Sequence, residues 1–375
     1  MSCILYCNSS AIAHNVRFLS NLIHKRNGYL FGVTKVLSGS PELAFLFIEN
    51  GCDGIADSRW QNLKKIKESN IFRQTINKYK DIPFLNLRLP ALSELEQIVK
   101  YSEISLVSEL QVIKAINDES KKQDKKTGII LMIDLGDLRE GIIPENAKEL
   151  DIDKYKIVLH SYIKEIRKLS YIDFMGIGTN LACFGGIVPS EENMNLLVNL
   201  SKWISSEYGL KLKYISGSNS SGIPFLLENK MPLEINHFRI GESMILGVNV
   251  LNREPIEGLR QDTVKLSVEV IEKKFKPSKP IGKNAQNAFG EILEFEDKGT
   301  ILRLICSAGR QDINLDGLKA LDKDISILGA SSDHLELQLT NNFDKYDLGS
   351  FVNFQLSYGA LLAASTSNYV EVKFI

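Results

Sequence analysis

Along the first two-thirds of the chain, short apolar runs alternate with stretches whose apolar residues recur at helical spacing. Eight runs read as strands: 29–34, 54–57, 83–87, 104–107, 129–134, 174–179, 212–217 and 238–241. Each is rich in β-branched or aromatic residues and nearly continuously apolar where strongest, as a parallel strand covered on both faces must be. Helical patterns lie between them. In 11–25, Ile12, Val16, Leu19, Leu22 and Ile23 fall on one face, and 191–208 is a second such stretch. Eight strands with interleaved helices in about 240 residues is the arithmetic of an α/β (β/α)8 TIM-type barrel. A doubly wound sheet competes, but eight units and no G-x-G-x-x-G turn favour the barrel.

Beyond residue 260 the period changes to two. Residues 265–272 alternate, and in 334–340 Leu335, Leu337 and Leu339 alternate with polar partners. Runs 300–306, 324–328, 349–356 and 369–374 are similar, separated by the turn chemistry of Pro277, Pro280, Gly282, Gly299 and Asn341-Asn342. This predicts an all-β C-terminal domain. The boundaries follow: a barrel over 9–258 and a β domain over 259–375. A first strand at 3–7 precedes the barrel's first helix and can pair with either domain. Residues 1–8 are assigned to pack on the β domain. No tandem repeat or low-complexity tract interrupts this order.

Composition narrows the class. The 375 residues suit about two domains. Hydrophobic residues at 44% and charged residues at 24% are a soluble globular mix, which excludes disorder and collagen-like architecture. No apolar run reaches the roughly 18 residues of a membrane span. The N-terminus lacks the basic region of a secretory signal. Forty-five Lys+Arg against 46 Asp+Glu leave a net charge of -1, so no charge field draws the chain to nucleic acid or an acidic membrane. The five cysteines, Cys3, Cys7, Cys52, Cys183 and Cys306, are odd in number and show no redox or zinc spacing. They read as thiols of a reducing compartment, which places the protein in the cytoplasm. The five histidines are scattered, so no metal site is expected.

A barrel of this kind builds its site at the C-terminal ends of its strands. Lys35 ends the first strand in Gly32-Val-Thr-Lys-Val, and a desolvated lysine amine there suits a Schiff base. Taken alone, a lysine snorkelling at a strand end is the commoner case. The loop Ser216-Gly-Ser-Asn-Ser-Ser-Gly222 follows the seventh strand, where barrels often bind phosphate. The eighth strand ends in Arg239-Ile-Gly-Glu242, whose glycine permits close backbone approach. Strands seven, eight and one are consecutive in a closed barrel, so at about 4.8 Å per step the phosphate loop and the lysine stand about 10 Å apart. Pyridoxal 5′-phosphate, with its phosphate on one side and its aldehyde on the other, fits that span, and Arg239 between them could face the ring nitrogen. After the fifth strand, Arg139 is a candidate clamp for a substrate carboxylate. It reads equally as a surface arginine paired with Asp137 or Glu140. Asn180, after the sixth strand, could hydrogen-bond a ring oxygen or a substrate. Asp57 after the second strand reads as a helix N-cap.

These residues, in this order, resemble the alanine racemase superfamily of fold-type III pyridoxal-phosphate enzymes, and within it the alanine/ornithine racemase branch. The resemblance covers nearly the whole chain. Gly32-Val-Thr-Lys35 resembles the cofactor-lysine motif, and Ile133-Asp-Leu-Gly-Asp-Leu-Arg139 the segment with the carboxylate-binding arginine. Asn219-Ser220 and Arg239-Ile-Gly241-Glu242 match the segments that hold the phosphate and face the pyridine nitrogen. Ala330-Ser-Ser-Asp-His334 resembles a β-domain strand whose backbone, at Ser332, meets the substrate carboxylate beside Asp333. Tyr369 corresponds loosely to a phosphate-binding tyrosine.

Three positions depart from the family pattern. Gly39 replaces a tyrosine four residues past the lysine, and Met132 stands where some members carry a carbamylated lysine. The stretch Gly282-Lys-Asn-Ala-Gln-Asn-Ala-Phe-Gly290 lacks the tyrosine that serves alanine racemases as second base. The resemblance implies a pyridoxal-phosphate-dependent amino-acid racemase that uses Lys35 on one face of the substrate's Cα. The opposite face calls for a second acid/base from the partner's β domain, with Cys306, Asp312, His334 and Tyr358 as candidates. It further implies a homodimer with shared active sites. The missing tyrosines and the Ser-Ser-Asp-His variant favour ornithine or another basic amino acid as substrate. Rival readings are an alanine or broad-specificity racemase, a D-amino-acid aldolase or dehydratase of the same fold type, a cofactor-carrying homeostasis protein, and a barrel hydrolase.

Overall fold

The computed structural model describes residues 2–375, which divide into two compact units: residues 10–261, and residues 2–9 together with 262–375. Cys3–Cys7 forms β1, which belongs to the second unit.

The first unit carries eight parallel strands: β2 (Tyr29–Val33), β3 (Gly54–Asp57), β4 (Phe84–Asn86), β5 (Ile104–Val107), β6 (Thr127–Met132), β7 (Ile172–Gly178), β8 (Tyr214–Ser216) and β9 (His237–Ile240). They pair in sequence order, and β9 returns to β2 with Phe31 opposite Arg239 and Gly32 opposite Ile240. A bridge between Ser218 and Phe238 links the last two strands, so the sheet closes on itself as a (β/α)8 barrel. The interior is filled, not open. Phe31 and Val33 on β2, Ile104 and Leu106 on β5, and Ile130 and Met132 on β6 point inward at every second residue and meet Ala56, Leu85 and Tyr214. At Gly176 a Cβ would strike the backbone carbonyl of Tyr214, so only glycine lets β7 approach β8 there.

Helices cover the outside. Ser9–His24 buries Ile12, Val16, Leu19 and Ile23. Its Asn15 amide donates to the carbonyls of Met244 and Arg260, at 3.0 and 2.8 Å, and so ties the first helix to the end of the barrel segment. Glu191–Tyr208 starts at a Ser190/Asn193 capping box and ends at Gly209 with φ 64°.

The second unit is a β sheet of β1, β10 (Val264–Pro277), β11 (Thr300–Cys306), β12 (Leu318–Ala320), β13 (Ile325–Ala330), β14 (Leu335–Leu339), β15 (Phe351–Leu356) and β16 (Glu371–Phe374). The 14-residue β10 serves two neighbourhoods. Its first half pairs with β1 and β15, and its second half with β11. The register shifts between Val270 and Glu272, where the strand passes from one set of partners to the other. Two elements lie outside the sequence expectation. β12 is three residues long, and Tyr358–Thr366 is a helix capped by Ser357 between the last two strands. No helix among the described residues is long and apolar enough to cross a membrane.

Candidate active site

Lys35 lies in a short 3-10 turn, Thr34–Leu37, directly after β2. The turn is held from β3. The Thr34 hydroxyl donates to Asp57 at 2.8 Å, and Asp57 also accepts the Arg59 amide at 2.9 Å and the Asn62 side chain at 3.0 Å. The helix there begins at Trp60 with Arg59 at its N-cap. Asp57 is therefore not the cap the sequence suggests but a fully buried bracket between β2 and β3. Burial pushes its carboxyl up, while its hydrogen bonds and the nearby Lys35 charge oppose the rise. Lys35 also acts electrostatically on Glu242, beyond β9, whose carboxyl is raised by burial and opposed by Arg253 and Lys35. The lysine thus stands among groups from β2, β3 and β9.

The loops after β8 and β9 meet. Asn219 caps the turn Ser220–Gly222 by accepting the Ser221 amide at 2.7 Å, and its own amide donates to the Leu181 carbonyl at 2.9 Å. The Ser220 hydroxyl accepts the Ser243 amide at 3.3 Å. At Gly241 a Cβ would sit 2.9 Å from both the Cβ and the carbonyl oxygen of Val33, so the end of β9 packs on β2 only with glycine. The Glu242 carboxylate pairs with Arg253.

Arg239 is 3% exposed. Its Nη1 donates to the carbonyl of Ser216, at 3.1 Å, and to the Ser216 hydroxyl. Its Nη2 donates to Thr179 O and Asn180 Oδ1, both at 2.7 Å. All four acceptors are neutral. Burial pulls this guanidinium down to about 10, opposed mainly by the charge of Glu140. Behind it, the Ser216 hydroxyl meets His237 Nδ1 at 2.6 Å. His237 is fully buried and lies 4.4 Å from the Phe31 ring, and burial, with the charges of Arg239 and Lys213, pushes its pKa far down.

The loop after β6 doubles back on itself. Asp134 accepts the amides of Gly136 and Leu138 at 2.9 and 3.2 Å, and Ile142 rejoins the strand end through the Met132 carbonyl at 2.9 Å. Leu138 adopts φ 55° and Gly141 φ 132°. Asp137, fully buried, accepts the amides of Cys183, Phe184 and Ile187 at 3.1, 2.8 and 3.0 Å, which staples this loop to the one after β7. Arg139 is therefore not paired with Asp137. Its Nε and Nη2 clasp Glu140, the latter bond being 2.9 Å. Glu140 also accepts the Asn180 amide.

Seven expected positions thus converge with Arg139 at one end of the barrel: Lys35, Asn180, Asn219, Ser220, Arg239, Gly241 and Glu242. Ser332, Asp333 and Tyr369 belong to the other unit. Ser332 and Asp333 lie in an exposed turn between β13 and β14, where the Ser331 amide donates to His334 O at 2.9 Å and Gln311 donates to Asp333. Tyr369 is 69% exposed and precedes β16. Among the second-base candidates, Cys306 is sealed in the sheet with its thiol pushed up to about 12 by burial. Asp312 is buried and accepts the Gly309 amide and the Ser367 hydroxyl. Residues that sequence reasoning left out are Glu140 as a bridge and the Ser216–His237 pair.

Residues 7–249 match the model of the alanine racemase N-terminal domain. The chain belongs to the alanine racemase family. Within the family, it is 37% identical over 362 residues to an ornithine racemase of Acetoanaerobium sticklandii, covering 96% of each chain. It is 35% identical over 367 residues to a lysine racemase of Thermotoga maritima, covering 98% of this chain and 97% of that one. The fold is shared with the alanine racemase of Bartonella henselae, solved with covalently bound pyridoxal phosphate, at TM-score 0.68, 17% identity and full coverage of both chains. At the family's variable position Met132 is an apolar core residue with no exposure.

Proposed function

We propose that this protein is a pyridoxal 5′-phosphate-dependent racemase of basic amino acids, with ornithine or lysine as substrate. The observation that carries this reading is near full-length similarity to an ornithine and a lysine racemase, combined with Lys35, Arg239 and the Asn219-Ser220 loop at one barrel end.

The donor set suits the cofactor. Asn219, Ser220 and the backbone amides of Gly241 and Glu242 would hold the phosphate, where glycine at 241 keeps a side chain out of the space between β2 and β9. Arg239 brings a fixed positive charge, and its four bonds use both Nη groups, so Nε–H is the donor they do not use. That donor would meet an unprotonated ring nitrogen, a choice that restrains side reactions such as transamination. Asn180 would flank the ring, Tyr369 would add a hydroxyl to the phosphate, and Lys35 would hold the aldehyde. When bound, the cofactor supplies an electron sink beside the substrate's Cα.

The chain's own residues do the rest. Arg139 binds the substrate carboxylate, with Ser332 and Asp333 contributed by the other subunit of the proposed homodimer. Lys35 Nζ moves a proton at Cα on one face. The opposite face is served from the partner subunit in a homodimer. Of the candidates, His334 is exposed and Tyr358 half-buried, so both reach the surface, whereas Cys306 and Asp312 do not.

The test is a panel of L-amino acids incubated with the cofactor-loaded protein and followed by loss of circular dichroism. L-ornithine and L-lysine are expected to lose their signal fastest. If neither is racemised, the proposal fails.

A further inference from the structure

We propose that Glu140 is a positioning residue that holds Arg139 for the substrate carboxylate and couples it to Arg239 through Asn180. The inference deepens the racemase reading above and rests on it.

One carboxylate joins two arginines at the strand ends. The Glu140 side chain is 8% exposed, whereas that of Arg139 is 42% exposed. Glu140 accepts Arg139 Nε, Arg139 Nη2 and Asn180 Nδ2. Asn180 Oδ1 in turn accepts Arg239 Nη2 at 2.7 Å. The bonds form a continuous path from the outer guanidinium to the buried one.

The backbone is bent to make this pairing. Neighbouring residues in extended chain point to opposite sides, so Arg139 and Glu140 meet only if the chain turns sharply. It does so at Leu138, a leucine at φ 55°, and at Gly141, where a Cβ would strike the backbone of Ile133 and Asp134. A left-handed leucine is costly, and such strain collects where function requires it. The amide bonds to Asp134 and Asp137 hold the bend, whereas the Arg139–Glu140 pair, with one exposed partner, adds little stability of its own and is left to orient the guanidinium.

Within the bonded path, two guanidiniums share the single carboxylate of Glu140, so neither arginine is fully matched by it and Arg139 can take a substrate carboxylate. Clasping Nε and Nη2 also fixes a long, flexible side chain in advance, with Cys183 as a further partner of the same guanidinium.

The experiment compares Glu140→Gln and Glu140→Asp with the wild-type holoenzyme. Binding is read from the cofactor absorbance change on adding L-ornithine or 1,4-diaminobutane, which has the same amines but no carboxylate. Glutamine places an N–H donor against the donors it must accept. Glu140→Gln is expected to weaken L-ornithine binding by about 100-fold and leave the diamine within about twofold of wild type, with Glu140→Asp recovering part of the loss. Equal weakening of both ligands, or no weakening of either, overturns the proposal. If Glu140→Gln does not fold, Glu140→Asp decides by the same comparison: selective loss of L-ornithine supports the role, and equal behaviour overturns it. A wild-type protein that responds to neither ligand instead overturns the racemase reading, and the role of Glu140 falls with it.

Discussion

Replacing Arg239 with lysine converts a buried charge into one that titrates in an accessible range. The arginine is 3% exposed and meets only neutral acceptors, and burial lowers it to about 10. The same surroundings acting on a lysine, whose ordinary value is about 10.4, push it down in the same direction. The folded variant therefore releases this proton at a lower pH than the unfolded chain, which holds it until about pH 10.4. Between those values the unfolded state binds more protons, so stability rises with pH. At about 1.36 kcal/mol per pH unit, a downward shift as large as that of Arg239 makes the gain from pH 7 to pH 10 about 2 kcal/mol larger than in wild type. Wild-type Arg239 begins a comparable gain only above its own depressed value. Urea unfolding of both proteins at pH 7, 8, 9 and 10 reads the difference, because groups away from this position contribute alike to both. Parallel curves would refute the reasoning, since they would mean that water screens the charge at this position.

Three further outcomes follow from the same geometry. Asp137→Ala removes the acceptor of three backbone amides and should cost about 2 kcal/mol in urea unfolding, with a higher KM because the loop bearing Arg139 loses its anchor; an unchanged KM would separate the staple from substrate binding. Gly241→Ala forces a methyl group to within 2.9 Å of Val33 and should cost about 1–3 kcal/mol of stability, with weaker cofactor uptake measured by absorbance titration; uptake equal to wild type would remove the close approach of β9 and β2 from the phosphate site. In the homodimer proposed above, mixing a Lys35→Ala subunit with an Asp333→Ala subunit should restore about a quarter of wild-type activity, because half the dimers would be mixed and each of those would carry one intact site; no recovery on mixing would contradict the shared site.

Much of the barrel is legible in the chain because its strands are buried on both faces and carry near-continuous apolar runs. The read strands 29–34, 54–57 and 104–107 coincide with or lie within a residue of Tyr29–Val33, Gly54–Asp57 and Ile104–Val107. The run 212–217 overreaches, because only Tyr214–Ser216 pairs on to β7. Leu318–Ala320 is too short to show a period and has only Leu318 as a strongly apolar residue. The helix Tyr358–Thr366 is nearly uniform in small and apolar residues around its circumference, so no amphipathic stripe marks it. In the candidate site, single residues at strand ends were readable and their partners were not. Arg139 has two acidic neighbours in sequence, and the choice of Glu140 depends on the left-handed turn at Leu138, which local sequence does not encode. Asp57 looks like a cap because its long-range partner, Thr34, lies 23 residues away in the turn after β2. Ser216 and His237 meet only because β8 and β9 are neighbours in the closed barrel.

The amine of Lys35 is the one group on which the proposed reaction depends throughout. Reducing the cofactor-loaded protein with borohydride, digesting it and locating the pyridoxyl mass by sequencing the labelled peptide tests that residue alone. The expected result is a single label on Lys35, in the peptide that contains Gly32-Val-Thr-Lys35. A label on any other lysine, or none on protein that has taken up the cofactor, would contradict it.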